Sequence, residues 1–200
     1  MADADQGLRP AMTDAEIGVL RECFSKAKSL VEFGSGGSTL LAVRSPSLQR
    51  IWSVESDPAW IVHLRANREV AAAEGGGRLR LLAVDIGAVG EFGFPRDQAM
   101  RPAWPRYHEA VWEEAATVDA DLVLIDGRFR VACAMEALAR CRTHAVLLLH
   151  DFWNRTHYHP VLAFTDWLGS CDSLAILRRK ASIDPAKFEA VRAAYRFNPD

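Results

Sequence analysis

Acids recur in this 200-residue chain wherever a strand-like run ends. Glu32 lies in Leu30-Val-Glu-Phe33, just before the turn Gly34-Ser-Gly-Gly37. Glu55 closes Arg50-Ile-Trp-Ser-Val-Glu55, and Asp85 follows Leu79 to Val84. Asp126 closes Asp121-Leu-Val-Leu-Ile-Asp126, and His150-Asp151 follows Ala145-Val-Leu-Leu-Leu149. Carboxylates accept hydrogen bonds from hydroxyls and amines and attract positive charge. A histidine beside them can take up a proton near neutral pH. One strand-end acid is an ordinary helix cap. Five along one sheet edge repel one another, which a purely structural sheet has no reason to accept.

The elements that must position these acids alternate. Thr13-Asp-Ala-Glu16 is a capping box that opens a helix running to about Lys28. Helices are predicted from Ser38, from Pro58 to about Glu74, from Tyr107 to Ala116, from Arg130 to Cys141, from Pro160 to Leu168 and from Pro185 to Tyr195. Leu174 to Arg178 is a sixth strand. Strand-helix alternation means right-handed crossovers and a parallel sheet. The expected fold is α/β, Rossmann-like and doubly wound. It has a mostly parallel sheet of six or seven strands, helices on both faces and an antiparallel C-terminal strand. The chain reads as one domain over 1–200, with 1–12 frayed and 87–118 an insert able to act as a lid. In such sheets ligands bind beyond the carboxyl ends of the strands, where these acids stand.

The glycine turn narrows the ligand. A dinucleotide fingerprint needs Gly-x-Gly-x-x-Gly, but Thr39 takes the third glycine position. A pyrophosphate would also be repelled by Glu32. S-adenosylmethionine, with an ammonium, a sulfonium and one carboxylate, suits the turn better than NAD. Glu55, at the end of the next strand, is placed to accept both ribose hydroxyls. Asp85 is placed to accept from the adenine amino group.

Val31-Glu-Phe-Gly-Ser-Gly-Gly-Ser-Thr39, Ser53-Val-Glu55, Val84-Asp-Ile86 and Leu124-Ile-Asp126 resemble, in order, the motifs of the class I S-adenosylmethionine-dependent methyltransferases. The resemblance spans Leu30 to Arg155. It implies that Glu32 holds the methionyl amine, directly or through water. Gly34, Ser35, Gly36, Gly37, Ser38 and Thr39 would carry the cofactor on the turn. Glu55 and Ser56 would bind the ribose, Asp85 and Ile86 would frame the adenine, and Asp126 would lie near the sulfonium. The family sheet ends in an antiparallel hairpin, of which only Leu174 to Arg178 is evident here.

For the acceptor, Asp126, His150 and Asp151 are the candidate catalytic residues. The catechol-type O-methyltransferases hold a magnesium ion with acids after strands four and five, positions that Asp126 and Asp151 fill. That subgroup has Asp-Asn where this chain has His150-Asp151. His157 and His159 are further candidates for the acceptor pocket or a zinc ion. Arg128 or Arg130 could clamp a carboxylate or phosphate. Phe92, Phe94, Trp104 and Tyr107 belong to the lid segment. Asp126-Gly-Arg-Phe129 stands where amino-methylating members carry Asn-Pro-Pro-Tyr, which argues against a nucleic-acid substrate.

Composition agrees. The net charge of −2 exerts no general pull on nucleic acid. The longest aliphatic run, Ala145 to Leu149, is far short of the ~20 residues of a membrane span. The start of the chain has no apolar signal block. Four scattered cysteines read as reduced thiols of a cytoplasmic protein. The expected function is methylation of a small-molecule hydroxyl. The alternatives are an NAD- or FAD-dependent oxidoreductase, or a methyltransferase-like binding protein without turnover.

Overall fold

The structure is a computed structural model that describes residues 8–200. In chain order it contains α1 (Asp14–Lys26), β1 (Ser29–Phe33), α2 (Gly37–Val43), β2 (Arg50–Glu55), α3 (Pro58–Arg65), α4 (Arg68–Gly75) and β3 (Leu79–Ala83). There follow α5 (Arg106–Glu109), β4 (Leu122–Ile125), α6 (Arg130–Arg140), β5 (Val146–Leu149), β6 (Thr165–Cys171), β7 (Leu174–Arg179) and α7 (Pro185–Tyr195). The seven strands form one sheet in the order β3-β2-β1-β4-β5-β7-β6. The first five are parallel, and β7 and β6 are antiparallel. Strand order reverses between β1 and β4, so a crevice must open beyond their carboxyl ends.

Period-two alternation divides the core. Val31, Phe33, Val123, Ile125, Leu147 and Leu149 face α6, α7 and the segment after β3. Leu30, Ile51, Leu122, Leu124 and Leu148 pack with residues of α1, α2 and α4. The central strands are buried on both faces, as parallel strands must be.

Four predictions need correction. The long helix after Pro58 is two helices, because Asn67 stops the first and its carboxamide accepts the Glu69 and Val70 amides that begin the second. The helix predicted over Tyr107 to Ala116 is a single turn, Arg106–Glu109, followed by 3-10 turns. The segment predicted helical over Pro160 to Leu168 divides into a 3-10 turn, Thr156–Ala163, and β6. The reason is non-local: a two-residue turn with Asp172 at φ 46° folds the segment back on β7, which completes the hairpin. At the N-terminus, residues 1–7 lie outside the described part. Leu8 is packed in the core rather than frayed, and the Arg9–Pro10 backbone lies against Gly37.

No helix among the described residues is long and apolar enough to cross a membrane. The cap at Asn67 carries a prediction. Asn67→Ala should lower the urea unfolding free energy by about 1 kcal/mol, and an unchanged midpoint would show that the α3–α4 break does not depend on the cap.

Candidate functional site

The turn after β1 is fixed from inside. Glu32 is wholly buried. Its Oε1 accepts from the Ser38 hydroxyl at 2.5 Å. Its Oε2 accepts from Thr39 at 2.6 Å and from Ser53 at 2.5 Å. Thr39 in turn accepts from the Gly36 amide at 2.8 Å, so the carboxylate organises the whole turn. Burial pushes the Glu32 carboxyl up to about 7, against the pull of these three hydroxyls. With both oxygens bonded to hydroxyls and no surface exposed, Glu32 is turned into the protein.

Three glycines of the turn have different neighbours. Gly34 has φ +93°, and a Cβ there would lie 2.6 Å from the Gly127 backbone. The turns after β1 and β4 therefore touch. Gly37 is backed by Arg9 and Pro10, whereas a Cβ on Gly36 would meet nothing within 4 Å. Gly36 is the open face of the turn.

At the end of β2, Glu55 Oε1 accepts from the Ser56 and Asp57 amides at 2.7 and 2.9 Å. Burial raises its pKa, and these amide bonds counteract the shift. The Ser56 hydroxyl beside it is buried with no hydrogen-bond partner. Such an orphan is costly unless a ligand satisfies it. Near β3, Asp85 is exposed and caps the Gly87 amide at 2.9 Å, while Ile86 is fully buried in the core.

The insert over 87–118 begins as a hairpin closed by a Val89–Pro95 bridge. Its tip puts Gly93 close to Ser56, Glu55 and Arg128. Phe92 at the tip has φ 54° and is 87% exposed. Phe94 is also exposed, whereas Trp104 and Tyr107 are core residues packed on Phe129. The four aromatics therefore separate into two at the surface of the insert and two in the core.

Beyond β4 and β5, His150 Nδ1 lies 2.8 Å from Asp126 Oδ1. Its Nε2 lies 3.4 Å from Glu16 Oε2, contributed by α1. Burial opposes protonation of His150, but Asp126, Asp151 and Glu16 outweigh it and raise its pKa above the usual histidine value. Glu16 also accepts from the Thr13 amide at 2.9 Å and from the Ser173 amide and hydroxyl at 3.0 and 2.8 Å. Ala11, Met12, Thr13, Glu16, His150, Asp151, Asp172 and Ser173 line a cavity of about 440 Å3. Glu16 was legible only as half of a capping box, because its second role depends on residues more than 130 positions away.

Asp151 has φ 57°, and its Oδ2 is held by Arg130 at 3.1 Å and Arg155 at 3.0 Å. Asp126 Oδ1 faces Arg130 at 3.3 Å as well as His150. Both acids are thus already paired with guanidinium groups, and this donor set does not fit a magnesium ion. His157 is exposed, and His159 bonds the Phe152 carbonyl at 3.0 Å; neither lines the cavity. Among the described residues the one cluster with cation-ligand spacing is His108, Glu109 and Glu136. Its carboxylates are already paired with Arg192, Arg140 and Arg196.

A methyltransferase-like protein from Silicibacter pomeroyi matches with 29% identity and a TM-score of 0.84, covering 96% of this chain and 99% of that one. The fold is that of the class I methyltransferases. An O-methyltransferase from Bacillus cereus, in complex with S-adenosylhomocysteine, matches at 13% identity and TM-score 0.52, covering 86% and 84%. A methyltransferase from Geobacter sulfurreducens matches at 15% and 0.52, covering 85% and 81%. These two likenesses bear on the methyltransferase fold alone. No protein-family profile and no curated protein matches the chain.

The buried Glu32 sets a pH dependence. Its folded pKa, near 7, exceeds the ordinary 4.5, so the native state holds a proton that the unfolded chain releases. Wild-type stability should therefore fall relative to Glu32→Gln as pH rises from 4.5 to 7, by on the order of 3 kcal/mol. Parallel pH profiles in chemical denaturation would refute the shift.

Proposed function

We propose that the chain is an S-adenosylmethionine-dependent methyltransferase that O-methylates a small molecule, with His150 as general base. The observation that carries this reading is the 2.8 Å Asp126–His150 pair, set beyond β4 and β5 on the wall of a cavity. The orphan Ser56 hydroxyl beside Glu55 and the open face at Gly36 support a cofactor laid across β1 and β2. Glu55 and Ser56 would hold the ribose, Gly34 to Thr39 the methionyl arm, and Asp85 the adenine. The four cysteines are free thiols, in keeping with a cytoplasmic protein.

S-adenosylmethionine supplies an electrophilic methyl group on a positively charged sulfur. The chain's own residues do the rest. Asp126 holds Nδ1–H, which leaves Nε2 as the basic nitrogen, as in other carboxylate-oriented histidines. An acceptor hydroxyl in the cavity gives its proton to Nε2 as its oxygen attacks. Glu16, 3.4 Å from Nε2, stabilises the imidazolium that forms. The N-terminal segment and the β6–β7 turn wall the cavity and align the acceptor, which supplies much of the rate in an in-line displacement.

Calorimetric titration should show binding of S-adenosylhomocysteine and none of NAD. Glu55→Ala should weaken that binding by about 1–3 kcal/mol. NAD binding alone would replace this reading with that of an oxidoreductase. Once an acceptor is found, His150→Gln should lower kcat by roughly 10²–10⁴-fold. In the wild type, kcat should rise with pH through a value above the ordinary histidine range, because His150 must lose its proton to act. A variant that keeps both the rate and this pH limb would remove His150 as the base. A wild type that binds the cofactor product yet methylates nothing would favour a binding protein.

A further inference from the structure

Arg128 follows Asp126 and Gly127 on the turn beyond β4 that carries the Asp126–His150 pair. Its guanidinium is half-buried, and its Nε is shielded from solvent with no hydrogen-bond acceptor. Among the described residues no carboxylate forms an ion pair with it. Its two neighbouring arginines are both engaged. Arg130 bonds the carbonyls of Asp126, Gly127 and His150 and pairs with Asp126 and Asp151. Arg155 pairs with Asp151 and donates to the Tyr158 hydroxyl at 3.1 Å.

The surroundings of Arg128 therefore disfavour its charge. Burial, then the fields of Arg130 and Arg155, lower its pKa. A desolvated guanidinium without an acceptor is destabilising. Its planar fork matches the two oxygens of a carboxylate or phosphate. Its place also suits a ligand. The tip of the lid hairpin, at Gly93, sits against both the Arg128 stem and Glu55. Arg155, whose charge acts on Arg128, pairs with Asp151 of the cavity wall.

We propose that Arg128 is a specificity-determining residue that pairs with a carboxylate or phosphate group carried by the methyl acceptor. The acceptor part rests on the methyl-transfer reading, whereas the anion site stands on its own geometry. The acceptor would then be an anionic hydroxy compound, held by its charge at Arg128 and delivered by its hydroxyl to His150.

The test uses inorganic phosphate and benzoate as probes, titrated by NMR into the full chain with and without saturating S-adenosylhomocysteine. The wild type should bind at least one of them, and the preferred probe separates phosphate from carboxylate recognition. Arg128→Met, which keeps the stem and removes the fork, should weaken that binding at least about tenfold. Arg128→Lys should fall between the two, because it keeps charge without the bidentate geometry. Thermal melting of each variant shows that it has folded. No binding of either probe by the wild type, or equal binding by Arg128→Met, would overturn the proposal. So would a loss of S-adenosylhomocysteine affinity in Arg128→Met, which would assign the residue to the cofactor carboxylate. Arg128-dependent anion binding in a chain that ignores S-adenosylhomocysteine would keep the anion site and refute the methyl-transfer reading instead.

Discussion

One buried guanidinium holds the strand ends in place. Arg130, at the start of α6, donates to the carbonyls of Asp126, Gly127 and His150 and faces the carboxylates of Asp126 and Asp151. These five acceptors belong to two different strand ends. The turns beyond β4 and β5 therefore cannot move independently, and the Asp126–His150 distance follows from that tie. A buried charge persists only when its desolvation is offset by well-aligned acceptors. Removing any one of them would leave part of the fork unsatisfied. The same tie turns Asp151 away from metal chemistry, since its Oδ2 is shared by two arginines.

A second buried network mirrors it on the other side of the crevice. Glu32 gathers Ser38, Thr39 and Ser53, and so fixes the turn over which a ligand would lie. The two networks meet where Gly34 and Gly127 touch, at the point of strand reversal. Between them the charges are not balanced locally. His150 is bracketed by carboxylates, and Arg128 is left among cations. Opposed, unequal environments of this kind are characteristic of sites that carry chemistry, because a structural network settles into pairs.

Much of this was legible in the chain. The strand-end acids, the Thr39 departure from a dinucleotide turn and the βαβ alternation follow from local pattern, which is set by residue type and spacing. The fold class needed nothing more. The hairpin strand β6 was not legible, because Thr165–Cys171 becomes a strand by pairing with β7 rather than by its own periodicity. The single-turn α5 within the insert was hidden for a related reason: Trp104 and Tyr107 are drawn into the core by Phe129, and this tertiary packing overrides helical spacing.

By itself, then, the sequence determined which groups stand at the carboxyl edge of the sheet, since strand order along the chain places them there. It also determined that Thr39 stands where a dinucleotide turn carries its third glycine. Only the tertiary structure decided how those groups divide the work. Glu16 joins His150 from α1, Arg130 is consumed within the protein, Arg128 is left without a carboxylate and Glu32 is turned inward. The physical reason is that charge pairing and desolvation depend on distance in space, and residues far apart in the chain set those distances.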